Sequence, residues 1–285
     1  MWLFIGHFPA LTPSPTSLSL SLSPADTWCY EDPKCGPETW AALGHCSGTR
    51  QSPINIVTPA AVHNPHLGAV SLAGYGDARK LTFMENTGKT VYVHLADGLH
   101  LSAQGLPAIY TAKSFHLHWG QGAARPGSEH YINHKRFSME LHIVHTKNNL
   151  SMDDALKDPE GIAVLAFFLQ VRQCGAMCPD SWVLSPALDR QRARYYRYQG
   201  SLTTPNCDKV VVWTVFPDPI LVPPGVVSVE VEGKERNNYR PLQSFGDRQV
   251  EASAALRVTT SSSSTSRPAA LIFLLISIAA ITWHL

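Results

Sequence analysis

Ser114-Phe115-His116-Leu117-His118-Trp119-Gly120, answered downstream by Ser138-Met139-Glu140-Leu141-His142-Ile143-Val144, decides how this chain reads. A His-x-His pair inside an apolar, aromatic run reads as a β-strand. Its side-chain period of two puts His116 and His118 on one face and Phe115 and Leu117 on the other. In the second run Glu140, His142 and Val144 share a face while Leu141, Ile143 and His145 point away, so an antiparallel neighbour brings His142 up as a third nitrogen. Gly, Pro and polar residues between Gln121 and Arg136 suit a connecting loop. Three histidines with no evident fourth protein ligand describe catalytic rather than structural zinc, because the open position is where water binds and ionises.

The chain has 285 residues, 44% hydrophobic and 16% charged, enough for one sizeable domain with its own core. Its 23 basic and 22 acidic residues nearly cancel and no Lys/Arg run occurs, so there is no electrostatic footprint for nucleic acid. Twenty-one prolines and nineteen glycines among short Val/Ile/Tyr-rich runs predict β structure with many turns. Met152-Asp153-Asp154 and Lys157-Asp158-Pro159 read as a solvated loop with no carboxylate dyad.

Both ends depart from globular composition. Residues 1–25 combine Trp2-Leu3-Phe4-Ile5 with a broken Leu/Ser run and no basic n-region, which reads either as a poor signal peptide or as a misassigned start. The domain is expected over 26–251, followed by a Ser/Thr-rich spacer, 252–268, and an uncharged apolar tail, 269–285. That tail is marginal for crossing a bilayer, and no basic residue follows to stop transfer. Small residues, polar spacer and apolar tail together match a GPI-attachment signal, with Ser253 as the candidate attachment residue and the Ser261 cluster second. A single-span tail anchor is the alternative. The expected location is the extracellular face of the cell membrane. Six cysteines, an even number, then suggest disulfides, and Asn149-Leu150-Ser151 is a glycosylation sequon in an expected turn.

Arg50-Gln51-Ser52-Pro53-Ile54-Asn55-Ile56, the His116/His118 run, Gly127-Ser128-Glu129-His130, Glu140-Leu141-His142 and Gly200-Ser201-Leu202-Thr203-Thr204-Pro205 occur in the order found in the α-class carbonic anhydrases. The chain resembles that family from about Trp28 to about Glu251. Trp28-Cys29-Tyr30, the cysteine placement and the tail make it most similar to the membrane-anchored types IV and XV. The resemblance implies a mixed α/β fold dominated by β: a single domain around a large, mostly antiparallel, twisted central sheet with short peripheral helices. Pro53 to Ile56 read as the entry to an edge strand. Also implied are Zn2+ as cofactor, CO2 and bicarbonate as substrate and product, and a monomer.

Carried over residue by residue, the resemblance makes His116, His118 and His142 the metal ligands, with Glu140 orienting His142 and the Asn238 carbonyl holding His118. Such outer partners fix the tautomer and raise ligand basicity. Thr203 and Glu129 match the pair that orients the nucleophilic oxygen, with Thr204 beside them. Val144, Val164, Leu202, Val211 and Trp213 match the apolar wall for CO2. The implied disulfides are Cys29–Cys35 and Cys46–Cys207, leaving Cys174 with Cys178. His130, His134 and His145 are assigned to structure, and Tyr30 and Tyr198 fall near the site.

Three departures stand out. Lys89 occupies the position where fast members of the family carry a proton-shuttling His, which predicts slow, buffer-dependent turnover; His94, further along the same strand, is the alternative base. Ser114 replaces a Gln that would bond His116, which predicts weaker metal binding. Residues 170–195 and 225–236 are shorter than the family pattern. A non-catalytic carbonic-anhydrase-like cell-surface binding module is the rival reading. A retired site, however, has no physical reason to keep three ligands.

Overall fold

The computed structural model describes residues 28–121, 125–171, 191–222, 230–231 and 234–256. Cys174, Cys178, Ser261, most of the two shortened segments and both chain ends lie outside them. The strands are β1 (Asn55–Ile56), β2 (Val62–Asn64), β3 (Ser71–Ala73), β4 (Leu81–Asn86), β5 (Val91–Leu95), β6 (His100–Ser102), β7 (Tyr110–Trp119), β8 (Tyr131–Ile132) and β9 (Met139–Lys147). After a one-turn helix α1 (Met152–Ala155) come β10 (Ile162–Val171), β11 (Tyr196–Gly200), β12 (Val211–Val222), β13 (Glu230–Val231), β14 (Lys234–Glu235) and β15 (Glu251–Ser253).

Eleven strands form one sheet in the order β2-β15-β11-β12-β10-β9-β7-β5-β4, with β6 beside β7 and β3 beside β6. Pairing is antiparallel except for β10 with β12 and β15 with β2. This is the expected β-dominated architecture. Its centre is β10, whose unbroken apolar run from Ile162 to Leu169 is buried on both faces, as a strand covered on both sides should read. Leu165 and Phe167 join Phe115, Leu117, Leu141 and Ile143 in one core. Val164, Ala166 and Phe168 face the other core with Val144 and Trp213. Burying each such side chain contributes about 1.5–3 kcal/mol, so the sheet's two faces are fixed before any site chemistry is considered.

Pro53 and Ile54 lead into β1, which pairs in parallel with β8 in a two-stranded sheet of their own. Three local readings change. The expected loop at 152–158 contains α1, because Ser151 Oγ accepts from the Asp154 N–H and caps that turn. Lys89 is not on the strand that carries His94 but in the turn before β5, where Thr87 N–H donates to the Thr90 carbonyl. The domain does not stop at 251: β15 pairs with β11 and β2, and a 3-10 turn follows at Ala254–Leu256. Ser253 is accordingly fully buried. Its hydroxyl accepts from Tyr195 N–H and donates to the Ala193 carbonyl, so a lipid attached at Ser253 would have to start inside the sheet.

Cys29–Cys35 and Cys46–Cys207 are disulfide-bonded as expected. The second bond closes a separation of 161 residues, and a loop of that length is worth about 4–5 kcal/mol by chain entropy. Asn149 is exposed in the turn after β9, at φ 60°.

Candidate active site

The register of β7 against β9 sets His116 opposite His142 and His118 opposite Glu140. The ligating atoms of His116, His118 and His142 lie within 4.8 Å of one another. Two of the rings are oriented from behind. His118 Nδ1 donates to the Asn238 carbonyl at 2.8 Å, and His142 Nε2 donates to Glu140 Oε1 at 2.7 Å. That leaves His118 Nε2 and His142 Nδ1 to point inward, and His118 Nε2 is buried with no hydrogen-bond partner. The third ring lacks such support: His116 Nδ1 and Ser114 Oγ are both buried and both without a partner. An unmade buried hydrogen bond costs about 1–3 kcal/mol, so this is where the Ser for Gln exchange is felt.

Burial, foremost, holds the His118 imidazole down to about 4, and it lowers His116 and His142 as well. All three rings are therefore neutral at pH 7, the form that binds a metal. With its convergent inward nitrogens and neutral donors, the cluster fits a divalent ion that favours imidazole. Burial opposes ionisation of Glu140, but His130 and His142 outweigh it and hold the carboxyl well below its usual range. The same carboxylate accepts from His130 Nδ1 at 2.7 Å and from the His130 N–H at 2.8 Å, and His130 Nε2 lies 2.6 Å from the Tyr198 hydroxyl. His130 and Tyr198 thus serve as scaffolding behind the ligands.

Glu129 is fully buried below the cluster. Its seat depends on Gly127, where a Cβ would stand 1.8 Å from the Gly120 nitrogen. Glu129 Oε1 accepts from the Arg240 N–H at 2.8 Å, while Oε2 lies 3.5 Å from His118 Nε2. Burial pushes its carboxyl up to about 7 against the opposing pull of His142, the Arg240 N–H and Thr203. Thr203 is thus near enough to pull on the carboxyl, but Glu129 Oε2 is buried without a hydrogen-bond partner among the described residues. The expected apolar wall is gathered on one side: Val144 lies opposite Val164, and Val164 opposite Trp213, with Val211 in the same core and Leu202 packed on it. Thr204 is half-buried.

On the opposite side Lys89 Nζ sits 4.1 Å above the Trp28 ring, within a Trp28, Tyr30 and Trp40 cluster. Asn238 ties that turn to the ligands, because its Nδ2 donates to the carbonyls of Lys89 and Leu117.

Residues 35–178 and 178–254 match the model of the eukaryotic-type carbonic anhydrases. The chain belongs to that family. It is 39% identical to rabbit carbonic anhydrase 4 over 80% of this chain and 84% of the relative. It is 31% identical to mouse carbonic anhydrase 15 over 86% and 88%, and 31% identical to human carbonic anhydrase 12 over 79% and 73%. Membership makes the chain a carbonate dehydratase.

Within this carbonic anhydrase, two site residues escaped the sequence reading. Tyr92 lies opposite His116 and stacks parallel to its ring at a centroid distance of 6.0 Å. Its period-two relation to His94 was the available signal. Arg240, read only as a neighbour of Asn238, donates its guanidinium to Gln51 Oε1, the Ser52 carbonyl and the Cys46 carbonyl. It thereby pins the N-terminal motif beside Glu129.

Proposed function

We propose that the chain hydrates CO2 reversibly at a zinc ion held by His116, His118 and His142, on the extracellular face of the cell membrane, with proton release as its slow step. The observation that carries this reading is the convergence of three neutral imidazoles, His118 and His142 buried and His116 partly buried, with the first two oriented from behind by Asn238 and Glu140. Zinc bound there would lower the pKa of a water to about 7, supplying a nucleophile at neutral pH. Glu129 draws the Thr203 proton toward itself, so the Thr203 oxygen is left to accept a hydrogen bond and to orient that nucleophile. Val144, Val164, Leu202, Val211 and Trp213 keep the approach to it dry, which suits an unhydrated gas, and Thr204 marks the polar edge.

Proton release is the weak step because position 89 carries an ammonium group, which ionises ordinarily near about 10.4 and relays poorly at neutral pH. Burial of Ser253 moves the proposed lipid attachment to the Ser261 cluster, ahead of the apolar tail 269–285. Exposure of Asn149 in a turn supports use of its sequon.

The test is zinc content together with stopped-flow CO2 hydration on the full-length protein, before and after removal of metal by a chelator. One zinc per chain and chelator-sensitive hydration are expected; bound zinc without hydration would favour a binding module. Release from cells by a phosphatidylinositol-specific phospholipase is expected of the lipid anchor, and retention would point to a spanning tail.

A further inference from the structure

We propose that His94, paired with Glu85, takes up the proton that hydration releases and passes it to bulk water; this rests on the function proposed above. His94 Nε2 lies 2.9 Å from Glu85 Oε1, and the two side chains are 45% and 41% exposed. Strand register places the pair on the catalytic face of the sheet. Tyr92 is opposite His116 and His94 opposite Ser114, whereas Val93 opposite Phe115 turns into the core beneath. On the next strand Glu85 is opposite Tyr92 and Phe83 opposite His94.

His94 stands one strand over from His116 and two residues along. At about 4.8 Å between strands and about 3.4 Å per residue, the two backbones are about 8 Å apart, a gap that a short chain of waters spans. Tyr92 flanks that path, stacked on His116 and edge-on to His94 at 4.9 Å. Among the described residues, the groups facing His94 are Phe83 and Glu85 from β4, Tyr92 from its own strand and Ser114 from β7; of these only Glu85 carries charge.

Neutral His94 with its proton on Nε2 donates to Glu85 and leaves Nδ1 as the basic atom. A proton arriving through water bonds to Nδ1, and the Glu85 carboxylate balances the imidazolium charge. The proton then leaves Nδ1 for bulk water or a buffer base, which restores the neutral ring. Imidazole is the side chain suited to this exchange at neutral pH. The Lys89 ammonium is instead docked on Trp28, a contact that rewards keeping the charge.

The experiment compares wild type and His94→Gln as zinc-loaded full-length proteins by stopped-flow hydration at low buffer, with and without added imidazole. His94→Gln is expected to lower kcat about tenfold, well under the 100-fold or more of a proton-transfer group in direct contact. It should leave kcat/KM for CO2 and zinc affinity unchanged, and added imidazole should restore kcat. Independently of metal, 15N NMR of the apo protein should find the His94 proton on Nε2 in wild type and shared between both nitrogens in Glu85→Gln. An unchanged kcat, a loss that imidazole does not repair, or a parallel loss of kcat/KM would each overturn the proposal. A zinc-bound wild type that hydrates no CO2 would instead overturn the function itself, and this inference with it.

Discussion

The catalytic face of the sheet has two halves that meet at His116. Across β9, β10 and β12 it is dry, with Val144, Val164 and Trp213 in register and His142 backed by Glu140, His130 and Tyr198. Across β7, β5 and β4 it is polar and open, with the unpartnered Ser114 hydroxyl, Tyr92, His94 and Glu85. Two of the three departures from the family pattern, Ser114 and Lys89, fall on or beside the polar half, and the third lies mostly outside the described residues. On the function proposed above the two halves would perform separable steps: the dry half would admit CO2 and hold the metal, and the polar half would dispose of the proton. A chain can therefore retain its metal chemistry while changing its route for protons.

Breaking the dry half should cost most. His118→Ala removes an inward nitrogen and is expected to reduce hydration to the uncatalysed background, with zinc lost on dialysis. Glu140→Gln leaves His130 and His142 without their shared carboxylate, and zinc affinity measured by chelator competition should fall about 10- to 100-fold.

The three-histidine cluster was legible because two short-range rules suffice for it: a period of two puts His116 and His118 together, and an antiparallel neighbour brings up His142. The polar half was not legible. Whether Tyr92 faces the site depends on the pairing of β5 with β7, and Lys89 meets Trp28 only after the 60 intervening positions of chain fold back. Ser253 misled for a related reason. Among small residues ahead of a polar spacer it reads as an attachment point, but pairing of β15 with Tyr196 and Arg197 buries it. In each case local composition was overruled by contacts between strands remote in sequence.

Changes to the polar half should sharpen the contrast. Ser114→Gln gives His116 Nδ1 a partner and should tighten zinc binding by up to about tenfold, the lower end of what such outer contacts are worth, with kcat little changed. Lys89→His places an imidazole beside Trp28 and should raise kcat at low buffer a few-fold, with no change in kcat/KM; failure to raise it would mean that position 89 does not limit proton release.

The most direct measurement is the buffer dependence of CO2 hydration by the zinc-loaded wild type. A kcat that climbs with buffer concentration while kcat/KM stays constant is the result expected if ligands and CO2 pocket are intact and proton release is slow. A kcat independent of buffer, or no hydration at any buffer concentration, would contradict that division between the two halves.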